Sequence, residues 1–163
     1  MMSVIQGDIT RIPCQAMVNS ANRSLLAGGG VCGAIHRAAG SQLEAACRLV
    51  GPIEPSQAVL TGAFNLPSEY VIHAVAPRYI DGSRGEMEGL RQTYKSICKL
   101  VMQYGITSIS IPSIGTGIYR FPLESAAEIA VETLKNSLPS ECHASFVCFD
   151  PTTFHAYQSR VTS

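Results

Sequence analysis

The chain has 163 residues, with 12 Lys and Arg against 12 Asp and Glu, so its formal net charge is zero. Hydrophobic residues make up 46% and charged residues 15%, which excludes a disordered chain and argues against broad electrostatic binding to nucleic acid or anionic membrane. No apolar run reaches the roughly 18 residues of a membrane span, and the opening MMSVIQGD lacks the charged-then-apolar plan of a signal peptide. The expectation is one compact soluble domain covering residues 1–163.

Strand and helix patterns alternate along the chain. Val4 to Gln6 and Ala16 to Asn19 read as short strands. Small and apolar residues recur at helical spacing from Val31 to Ala39, with Gly40 as the stop, and a second helix follows from Gln42 to Val50. Ala58 to Thr61 and the apolar run Tyr70 to Val75 are strands, and Glu88 to Tyr104 is an amphipathic helix ending at Gly105. A strand from Ser108 to Pro112 precedes a helix from Leu123 to Leu138, and a last strand, Ala144 to Phe149, precedes a last helix, Thr152 to Arg160. This alternation predicts an α/β layered fold with a largely parallel sheet.

The six cysteines form no CxxC and no zinc-like cluster with histidine, so a structural metal is not expected. Most read as small core hydrophobes, and free thiols in a chain without a signal peptide point to the cytoplasm.

Two loops stand out because open α/β sheets bind ligands beyond the carboxyl ends of their strands. One runs from Asn19 through Gly28, Gly29 and Gly30 into the helix at Val31. The other is Ser113-Ile114-Gly115-Thr116-Gly117-Ile118-Tyr119-Arg120-Phe121, leading into the helix after Pro122. Each offers unobstructed backbone N–H groups beside a helix N-terminus, an arrangement suited to anions. Two such loops suggest a ligand with two linked phosphates, gripped from both sides, although purely structural loops would share the spacing.

Gly28-x-Gly30-x-x-Gly33 formally matches a dinucleotide fingerprint, but about eight residues separate it from its strand, where that fingerprint follows at once. A Walker loop is excluded because no Gly-Lys-Ser/Thr occurs. Asp8 either accepts a hydrogen bond from an exocyclic amine or caps a turn with Thr10. Asn19 and Asn22 bind hydroxyls or cap backbone, Tyr119 and Phe121 stack on ligand or plug the core, and His73, within an apolar strand, reads as a satisfied core histidine.

Together these residues resemble the macrodomain family, and within it the MacroD-type bacterial O-acetyl-ADP-ribose deacetylases. The matching segments are Gln6–Thr10, Val18–Asn22, Gly28–Gly40, Asn65–Pro67, Tyr70–His73, Pro112–Tyr119 and Cys148–Asp150, collinear over nearly the whole chain. The resemblance implies a three-layer α/β/α fold with a mixed, largely parallel sheet and a cleft for ADP-ribose. It implies that Asp8 holds the adenine amine beside the backbone of Ile9, and that Phe149 and Asp150 border the adenine. Gly28, Gly29, Gly30 and Val31, with Ser113 to Tyr119, would wrap the diphosphate. Asn22 would meet the distal ribose beside Tyr119, and Asn19 would be structural.

The main departure is Cys32, where MacroD-type enzymes carry an aspartate that helps set the distal ribose and its attacking water. A thiol accepts hydrogen bonds weakly and is no carboxylate base. Viral macrodomains with alanine or cysteine there still remove ADP-ribose, so the resemblance implies an ester hydrolase with Asn22 and Cys32 in the catalytic positions. Its substrates would be O-acetyl-ADP-ribose or mono-ADP-ribosylated acidic side chains of proteins. It implies no cofactor or metal, no membrane and no nucleic-acid partner. The competing reading is a non-catalytic reader of ADP-ribose. A separate reading from the residues pairs Cys32, near a helix N-terminus, with His36 on the same helical face as a reactive thiol.

Overall fold

The computed structural model describes residues 1–163. Six strands form one sheet in the order β1-β6-β5-β2-β4-β3: β1 Met2–Gln6, β2 Ala16–Ser20, β3 Ala58–Gly62, β4 Tyr70–Ala74, β5 Ser108–Ile111 and β6 His143–Cys148. Every neighbouring pair is parallel except β3 with β4. The helices are α1 Gly30–Ala39, α2 Ser41–Val50, α3 Glu86–Tyr104, α4 Leu123–Ser137 and α5 Pro151–Val161, with a 3-10 turn at Ile9–Arg11. The expected three-layer arrangement with a mixed, largely parallel sheet is the one found. No helix is long and apolar enough to cross a membrane.

Strand alternation divides the core between the two faces of the sheet. Ala16, Val18, Ile72, Ala74, Ala144 and Phe146 point into the larger core, which α3, α4 and α5 cover. Met17, Val71 and Val147 point the other way, into a smaller core with Leu25, Ile35 and Leu43 under α1 and α2. Because both faces are covered, β2 and β4 carry apolar runs at Ala16–Val18 and Val71–Ile72, whereas β5 alternates Ser-Ile-Ser-Ile with Ser110 buried.

Element ends move by a residue or two for identifiable reasons. β1 begins at Met2 because Met2 and Ser3 stay in register with Ala144 and Ser145. β5 stops at Ile111, since Pro112 has no N–H to extend the ladder. β4 stops at Ala74 and β6 at Cys148, leaving Val75 and Phe149 outside. α3 begins at Glu86, whose carboxylate gathers the amides of Ile80, Asp81, Gly82 and Arg84 at 2.7–3.0 Å. Those bonds, the one from Ile80 first, hold the Glu86 carboxyl at about 2.

One feature of the sheet opens the site. β2 and β5 pair only at Ala16 with Ile109 and Met17 with Ser110. Beyond those residues the two strands part, and the crevice forms between their carboxyl ends.

Candidate functional site

Four adjacent strands, β1, β6, β5 and β2, run parallel, so their carboxyl ends bring four loops to one rim. In spatial order these are Gly7–Ile9 after β1, Phe149–Asp150 after β6, Ser113–Phe121 after β5 and Ala21–Gly29 after β2. They line two cavities. One of about 580 Å³ lies among Gly7, Asp8, Ile9, Arg37, Thr116, Phe149, Asp150 and Thr153. The other, about 250 Å³, lies among Asn22, Gly28, Gly29, Cys32, Gly115, Ile118 and Tyr119. Gly30, Val31, Ser113 and Gly117 line both, which makes the pair one trough with the glycine loops at its waist.

The first glycine loop is held by its own residues. Asn22 Nδ2 donates to the Leu26 carbonyl at 2.9 Å, and Ser24 Oγ donates to Asn22 Oδ1 at 2.7 Å. Leu25 takes a left-handed φ of 61° yet is fully buried in the smaller core; burial of that side chain, worth roughly 1.5–3 kcal/mol, outweighs a local strain of roughly 1–2 kcal/mol. Gly29 is the N-cap of α1 with extended backbone and no side-chain cap, so the first amides of α1 face the waist without a competing side chain.

Gly33, one turn along α1, lets the loop fold back. A Cβ there would fall on the Gly28 carbonyl oxygen.

The second loop needs its glycine for a different reason. Gly115 has φ +88°, and a Cβ would stand 2.9 Å from Phe121 Cδ2. Phe121 is buried against Tyr79, ring centroids 5.3 Å apart, so of the two aromatics it is the core plug while Tyr119 lines the cavity. Ser113 Oγ meets Thr116 Oγ1 at 2.7 Å and Tyr157 Oη at 2.9 Å. Ile114 is fully buried in the larger core and its side chain lines neither cavity. Its side chain anchors the loop, and any ligand contact it makes runs through its backbone.

At the far end Asp8 caps a turn, one of its two readings, and stands on the wall of the larger cavity. Its Oδ1 accepts from Thr10 N at 3.0 Å and Thr10 Oγ1 at 2.7 Å, capping the 3-10 turn, and the residue also lines the larger cavity. The Thr10 hydroxyl, ahead of its amide and Arg11, holds the Asp8 carboxyl below the usual carboxylate range. Asp150 accepts from Thr153 N at 2.8 Å as the cap of α5, and that bond likewise lowers its carboxyl. Both are ionised acceptors at neutral pH. Phe149 is 83% exposed, a bare ring on the rim.

Cys32 is 6% exposed at the base of the smaller cavity. Its thiol donates to the Leu26 carbonyl at 3.5 Å, and Asn19 Nδ2 approaches its sulfur at 3.9 Å. The expected pairing with His36 is not made: His36 Nε2 is buried with no partner, and burial lowers the His36 pKa. A thiol tied to a carbonyl, with no base on it, is not arranged as a nucleophile.

Asn19 is fully buried and donates through Nδ2 to His73 Nδ1 at 3.1 Å. That makes Nδ1 an acceptor and leaves the His73 proton on Nε2, 2.9 Å from Thr61 Oγ1. Asn19 and His73 are thus core residues, His73 as its apolar strand suggested and Asn19 as the resemblance implied.

Several lining residues escaped the sequence reading, Ala34, Arg37 and Thr153 among them. Gly30, Ala34 and Arg37 all border the larger cavity, and their spacing of four and three marks one face of α1. Arg37 belongs to none of the ion pairs of the chain. Thr153 follows from the Asp150 cap. No group of three or more His, Cys, Asp or Glu side chains converges as a metal site, and all six cysteines are free thiols.

The Macro domain family model matches residues 18–130. The chain belongs to the Macro domain family. This macrodomain is 47% identical to O-acetyl-ADP-ribose deacetylase 1 of Pantoea vagans, over 96% of this chain and 95% of that one. It is 44% identical to O-acetyl-ADP-ribose deacetylase of Enterobacter cloacae, over 99% and 93%. Among solved structures it is similar to the Oceanobacillus iheyensis macrodomain with ADP, with a TM-score of 0.92 at 35% identity over 98% of this chain and 88% of that one. The Trypanosoma brucei macrodomain in complex with ADP-ribose superposes with a TM-score of 0.88 at 32% identity, over 98% and 68%.

Proposed function

We propose that residues 1–163 act as one macrodomain that binds ADP-ribose along the trough and hydrolyses its O-acetyl ester. The carrying observation is the order of the four loops: an exposed ring and two ionised carboxylates at one end, two unobstructed glycine loops at the waist, and an asparagine at the other. That order matches adenine, diphosphate and distal ribose. Asp8 accepts from the adenine amine beside the backbone of Ile9, while Phe149 and Asp150 border the ring. Gly28, Gly29, Gly30 and Val31 face Ser113, Gly115, Thr116, Gly117 and Ile118 across the diphosphate, and Tyr119 packs beside the ribose that Asn22 orients.

In the reaction, water adds to the acetyl carbonyl and the ester C–O bond breaks. Acetate leaves and the distal hydroxyl regains its proton. The backbone donors of the two loops stabilise the negative charge held at the waist, and the bound diphosphate helps position the water. Mono-ADP-ribosylated acidic side chains present the same ester linkage and form a second substrate class. Six free thiols suit a reducing compartment, which favours the cytoplasm.

One observation favours a second reading, a reader of ADP-ribose without turnover. No acidic side chain lines the smaller cavity, and the thiol that stands in the position of the family aspartate is bonded to Leu26. Acetate release from O-acetyl-ADP-ribose decides between them, with ADP-ribose binding measured alongside. Turnover by the unmodified chain that is lost in Asn22→Ala supports the hydrolase. Binding without turnover, with activity arising in Cys32→Asp, establishes the reader.

A further inference from the structure

Beyond the ribose end of the trough lies a third cavity, of about 420 Å³, which shares Asn22 and Tyr119 with the smaller one. Its volume is several times what an acetyl group fills. Arg23, Ser24 and Arg78 line it over a floor that includes Pro55, and no acidic side chain is among its lining residues. Arg23 is already paired, its Nη2 2.9 Å from Glu54 Oε1 on the exposed side. Arg78 is exposed and belongs to no ion pair and no side-chain hydrogen bond of the chain.

The backbone on both sides of Arg78 is fixed. Before it, Val75 and Ala76 are buried just beyond β4. After it, the Tyr79 amide donates to the Tyr119 carbonyl at 2.8 Å, and the Tyr79 ring packs on Phe121. The next three amides, of Ile80, Asp81 and Gly82, all converge on Glu86 Oε2 at 2.9–3.0 Å. An unpaired guanidinium on a pinned segment, at the mouth of a cavity with no acid in its lining, favours an anion. The diphosphate of the ligand is held elsewhere, at the glycine loops, so the anion has to come from the group attached to the distal ribose.

We propose that this cavity is an acyl-side subsite in which Arg78 selects ADP-ribose esters whose acyl group ends in a carboxylate, the half-esters of short dicarboxylic acids. The inference rests on the ADP-ribose orientation of the proposed function. The acyl chain leaves the distal ribose between Asn22 and Tyr119, and its terminal carboxylate meets Arg78.

The test compares two non-hydrolysable ethers of ADP-ribose on the same distal hydroxyl, one bearing a carboxypropyl group and one an uncharged butyl group. The unmodified chain should bind the carboxylated ether roughly 5-fold more tightly, the upper range for a solvent-accessible ion pair, and that preference should shrink as salt is raised. Arg78→Gln should bring the ratio of the two affinities to about one, while Arg78→Lys should keep part of it. Equal affinities in the unmodified chain, or a preference that Arg78→Gln leaves intact, would overturn the subsite. Acetate release from O-acetyl-ADP-ribose is scored separately: a retained preference without turnover sinks the hydrolase reading and leaves the subsite standing.

Discussion

Replacing Gly33 by alanine tests how the first glycine loop is built. Gly33 has an ordinary helical position in α1, so the helix itself tolerates the change. The obstruction comes from the loop: the added methyl falls on the Gly28 carbonyl oxygen, with the Gly28 carbonyl carbon at 3.3 Å and Arg37 Nη1 at 3.1 Å. Arg37 is a flexible side chain and can swing away, but Gly28 is backbone, and its carbonyl has to retreat by roughly 1 Å to restore van der Waals contact. Overpacking of this kind costs roughly 1–3 kcal/mol, which for a domain of this size lowers Tm by roughly 2–12 °C.

The same retreat moves Gly28 and Gly29 off the waist of the trough, so ADP-ribose affinity should fall by about 10-fold or more, by analogy with the loss that 1 Å misplacements cause in active sites. Thermal unfolding and calorimetric titration with ADP-ribose read the two effects. Gly29→Ala is the control, because nothing lies within 4 Å of a Cβ at Gly29 and its φ is −86°. It should leave Tm in place and report only how closely the ligand approaches. A Gly33→Ala protein with the Tm and affinity of the unmodified chain would refute the claim that loop and helix are locked together.

Phe149→Ala removes a ring that is 83% exposed; Tm should hold while ADP-ribose affinity drops by roughly 5- to 100-fold, the range for losing one base-stacking aromatic, and an unchanged dissociation constant would remove Phe149 from the adenine site. Cys32→Ser keeps a donor for the Leu26 carbonyl and should keep whatever acetate release the unmodified chain shows, whereas a loss of turnover would revive the nucleophilic thiol. Burial, with His36 as a second cause, pushes His73 down to about 3. Because the unfolded histidine titrates near 6.5, His73 contributes its full stability above that pH. The contribution is lost as pH falls through the window toward about 3, at roughly 1.4 kcal/mol per pH unit, and the lowered pKa of His36 acts in the same direction. Denaturant unfolding from about pH 7 to about pH 5, where most carboxylates stay ionised, should show that slope, and a flat profile would contradict a neutral His73 bonded between Asn19 and Thr61.

Much of this molecule was legible from local pattern. The apolar runs at Met17-Val18 and Val71-Ile72 identified buried strands because both faces of a covered parallel sheet exclude water, and helical spacing marked helices such as α1 and α3 between strands. Gly28 to Gly30 and Gly115 to Gly117 signalled anion-binding loops, since side-chain-free backbone beside a helix start is a property of short segments. Cys32 stood out only through the resemblance, as a departure from a family motif.

What the chain folded into space decided is of another kind. Whether Asp8 borders a cavity as well as capping a turn could not be told from Gly7-Asp8-Ile9-Thr10, because the cap is local while the facing cavity walls come from β6 and α1. Which loop aromatic is buried depended on Tyr79, 42 residues away in sequence from Phe121. Cys32 and His36 share a helical face, yet the thiol turns to Leu26 because the first loop folds back over α1, a contact set by Gly33. Periodicity and glycine placement act within a few residues, and the sequence determines them directly. The order of four loops along one rim, the parting of β2 from β5 and the unpaired Arg78 beyond Asn22 and Tyr119 arise from strand order and packing between distant segments, and only the tertiary structure fixes those.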